Sequence, residues 1–383
     1  MRSTAGQATI EYVAAIALIA ALLVVAAPAV GAPSVAAAVV AQMERALCIA
    51  GLDICDARMA RDAGLAPCPL KTDVTGHEAT GTAFSIELGH RLTLTVTPNS
   101  DGTVTVVRSA SGTAGGSGGV GYDVAVGPVA FQLGGNAGLT ARVQAARAWV
   151  FPDQAAADEF LRHAVVNGFR WERFPPAWNS IEGGEEVSAA LGLAFGGKEQ
   201  ADLIGVAASG QAALGARIAP GRVVTVYGRV ATDGPELQLP LTPSTGLGKH
   251  EWLAEVTFGP DGPRELAFRH AAASELDSRV TETVSRLDLR DPANRAVAAP
   301  LLAMKWPWRD RAALAAAAER ISTHGTIERT VSSVEDDTRG ISGSVKGGWK
   351  FGGSVKRIKV HRSLVSASAR AGGFERQRYD CVK

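Results

Sequence analysis

The sequence predicts an α+β protein: an N-terminal transmembrane helix followed by an ectodomain that combines long antiparallel β-strands with a few packed helices. Three observations predict this class. A long uncharged segment lies near the N-terminus, apolar residues alternate with a period of two beyond residue 84, and capped helical stretches interrupt the strands. We expect a leader at residues 1–6, a membrane helix at 7–33, a cysteine-containing helical neck at 34–75 and the ectodomain at 76–383.

Charge and composition narrow the classes of function. Hydrophobic residues make up 46% of the chain, which is enough for a buried core, and 43 glycines indicate a preference for small side chains. Thirty-nine basic residues against 38 acidic ones leave a net charge of +1. Because no global field attracts such a chain to nucleic acid, we expect no nucleic-acid partner.

The N-terminal segment is predicted to cross a membrane. Residues 12–41 carry no charge, and residues 12–32 reach the roughly 20 apolar residues that a spanning helix needs. Arg2 is the only basic residue before this segment, which favours a cytoplasmic N-terminus and an extracytoplasmic C-terminal domain. The predicted location is therefore the cell membrane, with a single pass and membrane lipid as a partner.

The residues around Glu11 favour a particular class of anchor. An ionised carboxylate at the start of an apolar segment is costly unless it finds a partner, and an ordinary secretory leader would not place one there. The sequence GQATIEY, which ends at Tyr12, resembles the processing site of Flp-type (Tad) pilins and TadE-like pseudopilins. The resemblance implies cleavage between Gly6 and Gln7 by a prepilin peptidase, and roles for Glu11 and Tyr12 in assembly with pilus or secretion subunits. The alternative is a cleaved secretory leader that ends near residue 32.

All four cysteines lie beyond the membrane segment. In an oxidising compartment an even number of cysteines indicates disulfides, so two bonds are expected with their connectivity open. The candidates are Cys48, Cys55, Cys68 and Cys381. A bond from Cys381 would tie the C-terminus to the membrane-proximal region. Since the chain has no Cys-x-x-Cys pair, we expect no metal site and no cofactor.

The ectodomain is predicted to begin with a three-stranded antiparallel meander. Apolar residues alternate over residues 84–88 and 92–96, and the alternation resumes at Val104 after a turn at residues 98–102. Three helices are predicted among the later strands: one capped by Asp153, one from Pro292 to Pro300, and one over residues 310–321.

The C-terminal stretch is predicted to form an amphipathic β-ribbon. On strand parity, one apolar face contains Val345, Trp349, Phe351 and Val355, and the opposite basic face contains Lys346, Lys350 and Lys356. We expect the apolar face to close the core. The basic face would then meet anionic lipid, a wall polymer or an acidic subunit.

The function predicted from these features is structural. The chain is expected to be a membrane-anchored, surface-exposed minor pilin or pseudopilin of the Tad kind that acts in assembly or adhesion. A first alternative is an exported membrane-active effector whose amphipathic glycine-rich β-ribbons insert into lipid. A second alternative is a cryptic hydrolase whose Ser or His cluster only folding would assemble. Because none of the seven histidines has metal-ligand spacing, no enzymatic activity is expected.

Overall fold

The computed structural model describes the chain between residues 60 and 382 with gaps. The described residues are 60–61, 65–83, 86–115, 122–126, 129–133, 140–166, 174–187, 209–234, 248–274, 278–303, 311–347, 349–371 and 374–382. The predicted leader (1–6), the predicted membrane helix (7–33) and Gly6, Gln7, Glu11, Tyr12, Cys48 and Cys55 lie outside the described residues. None of the described helices combines the length and the apolar character that a membrane crossing requires.

Strands account for most of the described chain. In chain order they are β1 (Lys71–Ala83), β2 (Ile86–Pro98), β3 (Val104–Gly115), β4 (Tyr122–Val126), β5 (Val129–Leu133), β6 (Thr140–Phe151), β7 (Trp178–Val187), β8 (Ser209–Ala219), β9 (Val223–Gly234), β10 (Gly248–Gly259), β11 (Gly262–Ser274), β12 (Arg279–Asp288), β13 (Thr326–Asp336), β14 (Arg339–Gly347), β15 (Trp349–Ala371) and β16 (Phe374–Gln377). The described helices are α1 (Gln154–Val166), α2 (Pro292–Ala303) and α3 (Arg311–His324).

Twelve of these strands form one closed antiparallel barrel. The ring follows the order β1, β2, β3, β6, β7, β8, β9, β10, β11, β12, β13 and β15. It closes because β15 returns to β1, with Lys71 opposite Ser363 and Ala83 opposite Phe351. The predicted α+β class is therefore wrong. Alternating apolar residues indicate which face of a strand is buried, but they do not indicate that the first and last long strands pair.

The two ends of the barrel differ in their connections. At the end where β1 begins, here called the helical end, the strands are joined by short turns and by the segments that contain the three helices. At the end where β1 finishes, here called the glycine-rich end, longer connections follow β3, β7 and β9. The helical end also holds the start and the finish of the described chain.

The helices pack against the outer wall near the helical end. Phe160 of α1 lies 5.2 Å from Trp149 and 4.7 Å from Phe151, measured between ring centroids. A second cluster joins Leu314 and Ile321 of α3 to wall residues such as Leu287. This burial of apolar side chains stabilises the helices on the wall.

The helix starts follow the capping residues that the sequence shows. The Asp153 carboxylate accepts a hydrogen bond from the Ala156 N–H at 2.8 Å, which caps α1. Asp291 accepts one from the Ala293 N–H at 2.7 Å at the start of α2. That helix does not end at Pro300, as the sequence predicts, but continues to residue 303.

The first strands differ from the predicted meander. The sequence predicts separate strands at residues 84–88 and 92–96, whereas the structure contains the single strand β2. The apolar positions in both runs share the same parity, so the chain can pass residues 89 and 90 without a turn. The predicted turn at 98–102 is present, and Gly102 adopts a φ of 83°, a conformation that favours glycine.

Candidate functional site in the barrel lumen

The pairing registers assign one face of each wall strand to the lumen. Residues opposite each other in an antiparallel pair lie on the same face of the sheet. One row of opposed residues contains Glu182, Gly215, Tyr227, Glu255, Ala267 and Arg286. The opposite face supports the helices and includes side chains as exposed as Ile341 at 85% and Val355 at 62%. That face is the outer wall, and the row lies in the lumen.

Glu255 is the centre of one group of lumen charges. Its carboxylate accepts hydrogen bonds from Arg269 Nε at 2.7 Å and from Arg217 Nη2 at 3.4 Å. Arg269 also lies 3.7 Å from Glu282. The Glu255 side chain is only 5% exposed, and a carboxylate so buried is costly unless it is paired. The two guanidinium groups therefore make its burial feasible.

A second group lies on the neighbouring strands. Arg229 pairs with Glu182 across β8, which lies between their strands. The ring of Tyr227 lies against Gly215, where an added Cβ would overlap it. Arg217 stacks over Trp178, with its Cζ 4.8 Å from the ring centroid. Glycine on β8 thus lets large side chains lie flat along the wall.

Glu328 connects the wall to the ends of the described chain. Arg286 Nη1 lies 3.0 Å from its carboxylate, and Arg378 Nη1 lies 3.8 Å away. The Ala66 N–H donates a hydrogen bond to the same carboxylate at 3.1 Å. Segments before β1 and after β16 therefore both reach a lumen-facing residue near the helical end.

A disulfide joins these two segments across the mouth of the barrel. Cys68 and Cys381 are bonded, and their cluster includes the buried Ala367. Arg378, with a side chain 4% exposed, donates hydrogen bonds to the Ala66 carbonyl at 2.7 Å and to Asp380 at 2.6 Å. We call residues 65–68 and 378–382 the mouth plug.

The turn between β2 and β3 holds the mouth plug from the other side. Ser100 N–H donates to the Cys68 carbonyl at 2.8 Å, and Cys68 N–H donates to Ser100 Oγ at 3.1 Å. In the same turn, burial by itself would raise the pKa of the Asp101 carboxyl group. Hydrogen bonds from Thr103 and the ion pair with Arg61 outweigh that effect and leave the pKa below its usual value.

The described residues contain one group with the spacing of metal ligands, and it lies in the mouth plug. Ligand atoms of Cys68, Asp380 and Cys381 lie within 4.8 Å of one another. Both sulfur atoms are used by the disulfide. A bonded sulfur is not a thiolate ligand, so this group is structural.

The charged lumen residues differ in exposure between the two halves of the barrel. In the glycine-rich half, Glu78 lies 3.9 Å from Arg91 and 3.7 Å from Lys356, and these two cations are 41% and 49% exposed. Towards the helical end, Glu255 and Glu328 are 5% and 9% exposed. The lumen is therefore accessible to water around Arg91 and Lys356 in the glycine-rich half, whereas Glu255 and Glu328, in the half nearer the mouth plug, are shielded from water.

The predicted C-terminal ribbon has the reverse orientation. Val355 is on the outer wall and Lys356 faces the lumen, opposite Glu78. The apolar face therefore does not close the core, and Lys356 does not meet an external anion. Lys346 and Lys350 are paired in register between β14 and β15, and their side chains lie outside what the structure describes.

The buried histidines are on the outer wall. His250, Trp252 and His270 stack in parallel, and His250 Nδ1 lies 3.2 Å from His270 Nε2. The buried lumen carboxylates are held by arginines instead. The buried histidines and the buried lumen carboxylates therefore lie on opposite faces of the wall, whereas His361 pairs with Asp73 on the outer face.

Comparisons with known proteins return no matching family model and no matching curated protein. Among solved structures, a mutant of the Rh. blastica porin aligns with 77% of this chain and 100% of its own at 9% identity and a TM-score of 0.20. The Pseudomonas putida toluene transporter TodX aligns with 82% of this chain and 91% of its own at 7% identity and a TM-score of 0.19. TM-scores this low carry no argument about function.

The closed barrel corrects the predicted function and location. A minor pilin or pseudopilin acting in assembly or adhesion is wrong, because the long strands close into a barrel and do not form the α+β ectodomain that this prediction requires. The predicted single-pass location in the cell membrane is wrong for the same reason. The effector alternative receives no support either, since the strands of its predicted C-terminal ribbon are paired within the barrel wall. The hydrolase alternative receives no support either, because the buried histidines lie on the face of the wall opposite the buried lumen carboxylates.

Proposed function

We propose that the chain forms a membrane-associated β-barrel channel for ions or small polar solutes. The observation that carries the proposal is the polarity of the wall. Paired charges such as Glu255 with Arg269 face the lumen, whereas exposed apolar side chains such as Val355 face outwards. Soluble proteins bury apolar side chains, and membrane barrels reverse this arrangement because lipid surrounds the wall.

The outer wall near the glycine-rich end supports contact with lipid. One row of opposed residues runs from Ile341 across Val355 to Val143 and contains no Asp, Glu, Lys or Arg; its members are Ile341, Val355, Ala79, His90, Gly112 and Val143. Four large apolar side chains of this region are exposed: Leu88 at 60%, Val143 at 43%, Ile341 at 85% and Val355 at 62%. Such a surface is favourable next to acyl chains.

A basic row lies beside this apolar region. Lys359, Arg108 and Arg147 share one outer row, together with Thr75 and Leu94. Along β1 this row is four residues nearer the helical end, or about 13 Å at the rise of a strand. Basic side chains at that distance from an apolar band match the position of anionic headgroups. Membrane lipid is thus the predicted partner that the geometry supports, whereas prepilin peptidase and pilus or secretion subunits receive no support.

The number of strands is compatible with a conduit. Barrels of about eight strands are filled by their own side chains, and barrels of about sixteen enclose an aqueous channel. With twelve strands, this barrel lies between those sizes. The exposure of Lys356 and Arg91 on the lumen face supports a lumen that water enters.

The proposal is tested by placing a charge on the lipid-facing wall. Val355→Lys introduces an amine into the apolar row. A cation on the lipid face of a barrel costs about 2 kcal/mol or more, so binding to vesicles should weaken about 30-fold. The measurement is co-sedimentation of the full chain with vesicles containing anionic lipid, followed by conductance in a planar bilayer.

Val365→Lys is the matched control, because Val365 lies on the same strand near the helical end and is 42% exposed. It should bind vesicles like the unaltered chain. Discrete conductance steps from the unaltered chain are expected. The proposal is overturned if the unaltered chain gives no conductance at saturating vesicle binding, or if both lysine variants weaken binding equally.

A further inference from the structure

We propose that β14 joins two copies of this chain by edge-to-edge pairing into a twofold-symmetric dimer. The strand pairs with β15 along one edge, from Arg339 opposite Arg357 to Gly347 opposite Trp349. It follows β13 along the same edge of β15, and β12, which pairs with β13, does not reach it, so among the described strands it has no neighbour along its other edge. Unpaired N–H and C=O groups along a strand edge are a template for another strand.

The sequence of β14 is complementary to itself in the antiparallel direction. The strand reads RGISGSVKG. If Gly343 lies on the twofold axis, residue 341 (Ile) faces residue 345 (Val), and residue 342 faces residue 344, both of them serine. Arg339 faces Gly347 and residue 346 (Lys) faces Gly340, so no cation faces another cation. Isologous dimers need such a self-complementary surface.

The strand also lacks the devices that normally block edge pairing. Natural edge strands carry a central charge, a proline or a bulge. Residues 341–345 contain no charge and no proline, and the register between β14 and β15 runs without a shift. Ile341 is the most exposed large apolar side chain of the described residues, at 85%. Pairing with a second copy would cover part of that surface.

The occupant to which these observations point is a second copy and not an unrelated peptide. The strand carries a cation near each end and none at residues 341–345. Its uncharged centre therefore offers an unrelated extended peptide no charge by which to be selected. A second copy in the centred register satisfies the backbone groups and places glycine opposite each terminal cation. The pair would also join the two barrel walls into one continuous sheet.

The register is tested with a cysteine trap. Directly opposed residues have Cα atoms about 4.5–5.5 Å apart, which a disulfide spans. Gly343→Cys places a thiol on the twofold axis and should give a covalent dimer under mild oxidation of the full chain in detergent. Ser342→Cys is the matched control: its two copies would be separated by two residues along the strand, about 8 Å between Cα atoms, which is too far for a bond.

Charge variants test the same interface without oxidation. The double change Ser342→Lys with Ser344→Lys places two cations opposite each other on both sides of the axis, and it should shift the chain to monomer by light scattering. Ser342→Lys with Ser344→Glu places opposite charges there and should retain the dimer. The proposal is overturned if the Gly343 variant cross-links no more than the Ser342 variant, or if the two charge variants have the same mass.

Discussion

At the scale of single residues, we expect Glu255 to contribute both to the charge of the lumen near the helical end and to the free energy of unfolding. Changing Glu255→Gln removes one negative charge and leaves Arg217 and Arg269 without their shared carboxylate. Hydrogen bonds to a charged partner contribute more than neutral ones, so the free energy of unfolding should fall by about 2 kcal/mol. The excess positive charge should also move the reversal potential of the proposed channel towards anion preference. Chemical denaturation and a salt-gradient conductance measurement test the two effects.

The control for this change is Glu335→Gln, because Glu335 lies on the exposed end of β13. It should alter neither the denaturation midpoint nor the reversal potential. Equal effects from both variants would show that the Glu255 pairs determine neither the denaturation midpoint nor the reversal potential.

The sequence alone does not single out Glu255. In the sequence, Glu255 is an acidic residue between Ala254 and Val256. This pattern indicates that one face of the strand is polar, but it does not indicate that this face lines a lumen.

At the scale of elements, we expect that the capped helix α1 can lose its order while the wall that it covers stays folded. Asp153→Ala removes the oxygen that accepts the Ala156 N–H, and losing such a cap costs about 1 kcal/mol. Because α1 covers Trp149 and Phe151, its loss of order should expose that part of the wall. Hydrogen exchange measured by mass spectrometry should show faster exchange in residues 154–166 with little change in β10. Glu159→Ala, in the same helix, removes only an exposed pair with His163 and should have little effect.

If Asp153→Ala leaves exchange in α1 unchanged, packing and not capping determines the order of this helix.

The elements also show what a local pattern can predict. Caps at Asp153 and Asp291 and the turn before Val104 are visible in the sequence, because each depends on residues within a few positions. The division of β2 into two strands was wrong because parity alone does not distinguish a continuous strand from two strands in the same phase.

At the scale of the whole molecule, closure of the barrel is the feature that the sequence does not reveal. It depends on β1 pairing with β15, residues far apart in the chain whose register no local pattern encodes. Closure of the barrel also determines which face of each strand points into the lumen. Lys356 and Val355 are correctly assigned to opposite faces, but only the ring shows that the lysine face is inside. The cysteines are visible as disulfide candidates, whereas the position of one bond over the barrel mouth depends on the same closure.

The disulfide between Cys68 and Cys381 should control access through the helical end. The double variant Cys68→Ser with Cys381→Ser frees the mouth plug from its cross-link, so Arg378 and Ala66 are held only by their hydrogen bonds. Closing a loop of 313 residues restricts the unfolded chain, and losing that restriction should lower the free energy of unfolding by about 4 kcal/mol. Conductance in a planar bilayer should rise at temperatures at which circular dichroism shows the barrel intact. Adding reductant to the double variant should change nothing further, whereas it should raise the conductance of the unaltered chain. An intact barrel whose conductance does not respond to loss of the bond would show that the mouth plug does not restrict the lumen.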